Sequence, residues 1–142
     1  MGLNLSSFSA VTTFNFLKQP YGLELIESFY KFWPDDYTLY VFLENGLDRI
    51  DFEKIKHKVK FFDYKLSIPD YYNFCSKFKS YESEQDDYRL NAFRFAYKVF
   101  AMKKALSLIS SEFLIWLDAD IKTAKPITYK LLNKLVDKDK YA

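Results

Sequence analysis

Two aspartates, Asp118 and Asp120, follow the run Phe113-Leu114-Ile115-Trp116-Leu117 with one small residue, Ala119, between them. Five consecutive apolar residues predict a strand buried on both faces, the parallel-sheet kind. Acids at its C-terminal end stand where open α/β sheets place their ligands. In an extended chain residues i and i+2 point the same way, so both carboxylates are expected to face one crevice. Adjacent carboxylates repel unless a cation joins them, and a hard divalent ion shared with phosphate oxygens suits such a pair. An isolated Asp-x-Asp is more often a pair of solvated strand-end acids. Here its place behind a buried strand and a long helix favours the metal.

Other residues offer less. Asn91, Arg94 and Lys98 share one helical face at i, i+3 and i+7 spacing. The face is basic and could offset phosphate charge, or simply be solvated. His57 is the only histidine and sits in a charged stretch, which predicts a surface position. Cys75, the only cysteine, excludes an internal disulfide or a cysteine-built zinc site and reads as a packing residue. The lysines of 54–60 predict a solvated face, with weak contact to anionic lipid as the lesser reading. With 3 glycines the chain has no Gly-rich phosphate loop, so any phosphate must be held by metal and side chains.

The elements that must position these residues follow from periodicity. Ser7 to Phe14 predicts a first strand, and Leu23 to Trp33 a helix with Leu23, Ile26, Phe29, Tyr30 and Trp33 on one face. Tyr37 to Leu43 predicts a second buried strand closed by Glu44-Asn45-Gly46, and Val59 to Tyr64 a third. Helices are expected over Tyr71 to Tyr81, Tyr88 to Ile109 and Ile127 to Val136, with loop over Glu82 to Asp87 and a charged tail from Asp137 to Lys140. The longest helix carries the stripe Tyr88, Phe95, Val99, Met102, Leu106 and Ile109, widened by Phe93, Ala96 and Phe100, and is expected to be mostly buried. Strand–helix–strand order at this spacing implies parallel crossovers. The expected class is α/β, Rossmann-like, with a mostly parallel sheet and helices on both faces.

The 142 residues suit one domain, 1–142, with a real core. A charge of +2 leaves no footprint for nucleic acid. No window reaches the ~18 apolar residues of a transmembrane helix, and Met1 to Ala10 lacks the marks of a signal peptide. With the lone cysteine, this places the expected compartment in the cytoplasm, with the inner face of a membrane as a site of peripheral contact.

Leu117-Asp118-Ala119-Asp120-Ile121, then Pro126-Ile127 and a helix, resembles the DXD region of GT-A glycosyltransferases, and is similar to glycogenin and the lipopolysaccharide galactosyltransferases. The order of elements upstream resembles the nucleotide-sugar-binding half of that fold. The resemblance implies Mn²⁺ or Mg²⁺ held by Asp118 and Asp120 against the diphosphate of a UDP- or GDP-sugar, with Asp120 the firmest ligand and Asp118 on the ribose or the metal. It further implies Arg94 and Lys98 along the sugar-nucleotide groove, and Val11, Thr12 and Thr13 at the end of the first strand cradling the base. A hexose would pass to a glycan or lipid-linked acceptor. The chain closes about twenty residues after Asp120, whereas family members continue into an acceptor half. The chain alone is therefore expected to show little transfer, and no catalytic residue is assigned.

Two rival readings stand beside it. Phosphatases of the haloacid dehalogenase type also carry an apolar strand and Asp-x-Asp, but near the N-terminus and with Thr or Val where Lys122 stands here. The other rival is a non-catalytic nucleotide-sugar-binding or partner-interaction module.

Overall fold

The structure is a computed structural model that describes residues 7–51, 53–79 and 92–136. Four parallel strands form one sheet in the order β3-β2-β1-β4: β1 Phe8–Asn15, β2 Thr38–Glu44, β3 Val59–Asp63 and β4 Phe113–Trp116. Helix α1 (Gly22–Phe32) links β1 to β2, and α2 (Tyr64–Ser67), α3 (Pro69–Lys77) and α4 (Ala92–Leu108) lie between β3 and β4. Helix α5 (Tyr129–Leu135) follows the acidic pair. The chain is α/β and Rossmann-like, as expected. Its parallel strands are joined through helices because parallel neighbours cannot be linked by a hairpin.

Alternation along β1 and β2 splits the core in two. Ala10, Phe14, Leu39, Val41 and Leu43 face α1 and α5, packing on Leu25, Ile26, Phe29 and Leu132. Val11, Tyr40 and Phe42 face the other way, onto Tyr64, Ile68, Ala101 and Ala105. Both faces of the sheet are therefore covered, as all-parallel sheets require. Gly22 opens α1 against the buried ring of Phe14. A Cβ there would lie 2.6 Å from two atoms of that ring. Gly22→Ala is expected to destabilise the fold by about 2 kcal/mol in urea unfolding, because overpacking outweighs the helix propensity gained.

Four expectations need correction. Strand β4 is an edge strand among the described residues, and all four of its residues are half-buried rather than covered on both faces. An unbroken apolar run reports apolar neighbours on each face, not how completely they cover it. Helix α4 turns part of its predicted stripe outward: Phe95, Val99 and Leu106 are 49%, 56% and 59% exposed, whereas Met102 and Ile109 pack, partly buried, against the second core cluster. It buries Phe93 of the widened stripe, as expected, together with Ala101 and Ala105, which were not read as core; small residues let a helix approach a sheet closely. The helix predicted over Tyr71 to Tyr81 begins earlier, at Pro69, whose missing N–H costs nothing at a helix start, and the short helix α2 precedes it from Tyr64, the residue read as the end of the third strand. The last helix begins at Tyr129, after the side chain of Thr128 caps the backbone N–H of Leu131.

Within 54–60 the solvated-face reading fails at Lys58, which is 1% exposed. Its ammonium donates to the carbonyls of Tyr30 at 2.8 Å and Trp33 at 2.5 Å, closing the C-terminal end of α1. His57 is exposed, as expected, and lies edge-on to Tyr30. The loop expected over Glu82–Asp87, Tyr88, Asn91 and the tail from Asp137 lie outside the described residues.

Candidate functional site

The two acids are fixed from both sides. Upstream, the N–H of Leu117 donates to Val11 at 3.0 Å, carrying the β1–β4 pairing one residue past the strand. Downstream, Thr123 is tied to α1: its N–H donates to the Ser28 hydroxyl at 3.0 Å, and its own hydroxyl accepts from Trp33 Nε1 at 2.9 Å. Ile127 then donates to Phe32 at 2.8 Å, and Lys122 pairs with Glu24 at 3.0 Å. Between these anchors the N–H of Ile121 donates to the Asp118 carbonyl at 3.0 Å, so Asp118 to Ile121 form a turn. This corrects the extended-chain argument. The alternation of side chains stops with β4, and a turn, not a pleat, relates Asp118 to Asp120.

Asp118 is not an open acid. Its Oδ1 accepts from the ammonium of Lys98 on α4 and, at 2.9 Å, from Trp116 Nε1. The Lys98 ammonium also stands 5.6 Å from the centre of the Trp116 ring. These donors, Lys98 foremost, hold the Asp118 carboxyl below the ordinary carboxylate range, against an opposing pull from partial burial. Asp120 is exposed, with no partner recorded for its carboxylate among the described residues.

Lys98 also lines a cavity of about 490 Å³ at the C-terminal ends of β1 and β2. Thr13 and Asn15 enter it from β1, Lys18 and Gln19 from the turn that follows, and Glu44 from the end of β2. Tyr71 of α3 and Arg94, Tyr97 and Lys98 of α4 complete the lining. Among the described residues Lys18, Arg94 and Lys98 thus line the cavity beside Glu44, and Lys98 is at the same time paired with Asp118. Tyr97 is aimed by its surroundings: its ring stacks on Tyr64 at 4.0 Å, and its hydroxyl donates to Glu44 Oε2 at 3.2 Å. Burial pushes the phenols of Tyr97 and Tyr71 well above their ordinary value, so both remain protonated donors at neutral pH.

Of the residues singled out in the sequence, the structure gathers Thr13, Arg94 and Lys98 around this cavity and joins Asp118 to it through Lys98. Val11 and Thr12 are not there. Val11 is buried among Tyr40, Phe42 and Ala101, and Thr12 is fully buried, its hydroxyl with no hydrogen-bond partner among the described residues. Strand β1 runs on to Asn15, so the strand end lies past the residues read as its end. Thr13 itself gives its hydroxyl to the Phe42 carbonyl at 2.8 Å. Asn15, Lys18, Gln19, Glu44, Tyr71 and Tyr97 were missed. Only Glu44 carried a signal, as the acid closing the second apolar run.

Among the described residues no three His, Cys, Asp or Glu side chains gather as a metal cluster. The available donors are the hard oxygens of Asp118 and Asp120. Such a pair fits an ion that keeps water and takes phosphate oxygens for the rest of its shell, as Mg²⁺ does, rather than one caged by protein.

The depressed Asp118 titration has a testable sign. A carboxyl whose folded value is lowered adds stability above its unfolded value, and loses it as pH falls through the folded one. Both partners are nearly half exposed, at 44% and 46%, so the pair contributes about 1 kcal/mol or less. In Lys98→Met the Asp118 midpoint is expected to rise, which a ¹³C carboxyl titration by NMR would read.

The sequence matches no protein-family model and no curated protein. Among solved structures it matches the crystal structure of mouse xyloside xylosyltransferase 1 in its apo form, with TM-score 0.56 and 16% sequence identity. The two chains share a fold. The match takes in 95% of this chain and 49% of that one, so this chain spans about half the length of its neighbour. At this identity the likeness is one of architecture: the four-stranded parallel Rossmann-like sheet with its helices. It transfers no residue's role.

Proposed function

We propose that this chain is a nucleotide-sugar-binding domain of a metal-dependent glycosyltransferase, acting with Mn²⁺ or Mg²⁺ on a UDP- or GDP-sugar. One observation carries the reading: Lys98 belongs both to the cation-lined cavity at the ends of β1 and β2 and to the acid Asp118 that follows β4. A diphosphate in that cavity would lie beside the acidic turn. The fold shared with a xylosyltransferase supports the same reaction class.

In this reading Asp118 and Asp120 hold the metal, whose chemistry is to neutralise charge developing on the leaving diphosphate. Arg94 and Lys98 add positive charge along the cavity, and Lys18 does so from the β1 turn. The polar groups of Asn15, Gln19 and Glu44 and the protonated phenol of Tyr97 are the donors and acceptors able to read a base or ribose. The hexose would pass to a glycan or lipid-linked acceptor. Among the described residues no helix is long and apolar enough to cross a membrane. The phosphatase reading is weaker, because Lys122 stands where that family carries Thr or Val, and among the described residues the acid pair lies on the turn after an edge strand.

A thermal-shift panel tests the proposal. UDP or GDP together with Mn²⁺ is expected to raise the melting temperature more than the sum of nucleotide alone and metal alone, since a ligand that binds only the folded state stabilises it. No shift with any nucleotide–metal pair would contradict it.

A further inference from the structure

We propose that Lys98 is a built-in counter-cation for Asp118, which makes the acidic turn accept a divalent cation only together with a phosphate-bearing ligand. This inference rests on the donor-site reading above and specifies how that site loads. Lys98 faces two anionic positions. Its ammonium is hydrogen-bonded to Asp118 Oδ1, and its side chain lines the adjoining cavity with Lys18 and Arg94. Trp116 Nε1 donates to the same Oδ1 at 2.9 Å and borders the lysine with its ring, so Asp118 is saturated on one oxygen by neighbours from β4 and α4.

A dication arriving alone at Asp118 meets an ammonium that competes for the carboxylate and repels the newcomer. With a diphosphate in the cavity, the ammonium gains a second anion within its reach. Lys98 can then leave Asp118 without leaving an anion, and the metal takes its place. Metal and diphosphate thus favour each other through one side chain. Thermodynamic reciprocity requires the coupling to be equal in both directions. Asp120, exposed and with no such partner among the described residues, contributes its oxygens in either state. The role assigned to Lys98 is that of a positioning residue, independent of any step in transfer.

Free Mn²⁺ measured by electron paramagnetic resonance reads the effect without turnover. In the unaltered chain Mn²⁺ alone is expected to bind weakly, and saturating UDP or GDP to tighten it about tenfold or more, within the usual range of coupling. In Lys98→Met, and in Lys98→Gln as a second uncharged variant, Mn²⁺ alone should bind about tenfold tighter and the nucleotide should tighten it less. Lys98→Arg, which keeps the charge, should stay close to the unaltered chain. Equal binding of Mn²⁺ alone to the unaltered chain and both uncharged variants, with nucleotide still tightening it in each, would overturn the role of Lys98 and leave the donor-site reading standing. Failure of both UDP and GDP to tighten Mn²⁺ in every form would overturn the donor-site reading and this inference with it.

Discussion

Asp120→Ala is expected to weaken Mn²⁺-dependent nucleotide binding by about a hundredfold or more, while leaving thermal stability nearly unchanged. The two halves of this expectation come from one observation. Asp120 is exposed on the turn after β4, and no described residue is recorded as pairing with its carboxylate, so removing it leaves no buried group unsatisfied. What it does offer is a pair of hard oxygens beside a cavity lined by Lys18, Arg94 and Lys98. Asp118→Ala should lose binding too, but with an added effect, because it frees the Lys98 ammonium and the Trp116 N–H that it now accepts. Nucleotide binding in the absence of metal should therefore differ between the variants. Asp118→Ala releases a cation into the cavity and strengthens it slightly, whereas Asp120→Ala leaves it alone. Calorimetry on both variants, with and without Mn²⁺, checks all four values, and an Asp120→Ala protein that binds as the unaltered chain does would contradict the assignment.

Lys58→Met is expected to cost about 2–3 kcal/mol of folding stability and roughly 10 °C in melting temperature. The side chain is 1% exposed, and its ammonium satisfies the carbonyls of Tyr30 and Trp33 at the end of α1. Methionine of similar length fills the space but leaves both carbonyls without a donor, and each buried acceptor so orphaned costs about 1–3 kcal/mol. Relief from burying a charge offsets part of that. The ion pair with Asp35 adds little, since that carboxylate is 97% exposed and 3.5 Å away. Lys56→Met is the control: its 2.7 Å bridge to Glu53 lies on the surface and should be worth under about 0.5 kcal/mol. Equal losses in the two variants by urea unfolding would contradict the capping role.

The contrast between those lysines shows where sequence reading stops. Lys54, Lys56, Lys58 and Lys60 look alike in the chain, and nothing local distinguishes the one that folds back on a helix 25 residues earlier. Strands were legible because a parallel sheet demands apolar runs, and β1, β2 and β3 lie within a residue or so of where the runs place them. Helix α4 was legible as a helix but not in orientation. Its large residues mark a stripe, yet the sheet selected Ala101 and Ala105, since contact distance and not hydrophobicity decided which face docks.

At the site, Asp118 and Lys98 were each readable and their pairing was not, being a contact across 20 positions between a helix and the turn after β4. Val11 and Thr12 lie away from the cavity for a plain reason. A strand end is set by its partner's hydrogen bonds, and β2 carries the pairing with β1 through to Asn15 opposite Glu44. The cavity residues that follow, Asn15, Lys18 and Gln19, belong to a turn whose polar groups hydrogen-bond locally, Asn15 accepting from Leu17 at 3.0 Å. Local turn chemistry of that kind looks the same in sequence whether or not a ligand lies beside it.

The central claim is that an anionic nucleotide is held here through a metal on the acidic turn, and one titration addresses it directly. UDP and GDP are titrated calorimetrically into the unaltered chain in Mn²⁺, and again after the metal is removed with chelator. Saturable one-to-one binding in Mn²⁺ that falls at least tenfold in chelator is the result predicted; equal binding under both conditions, or none under either, would contradict it.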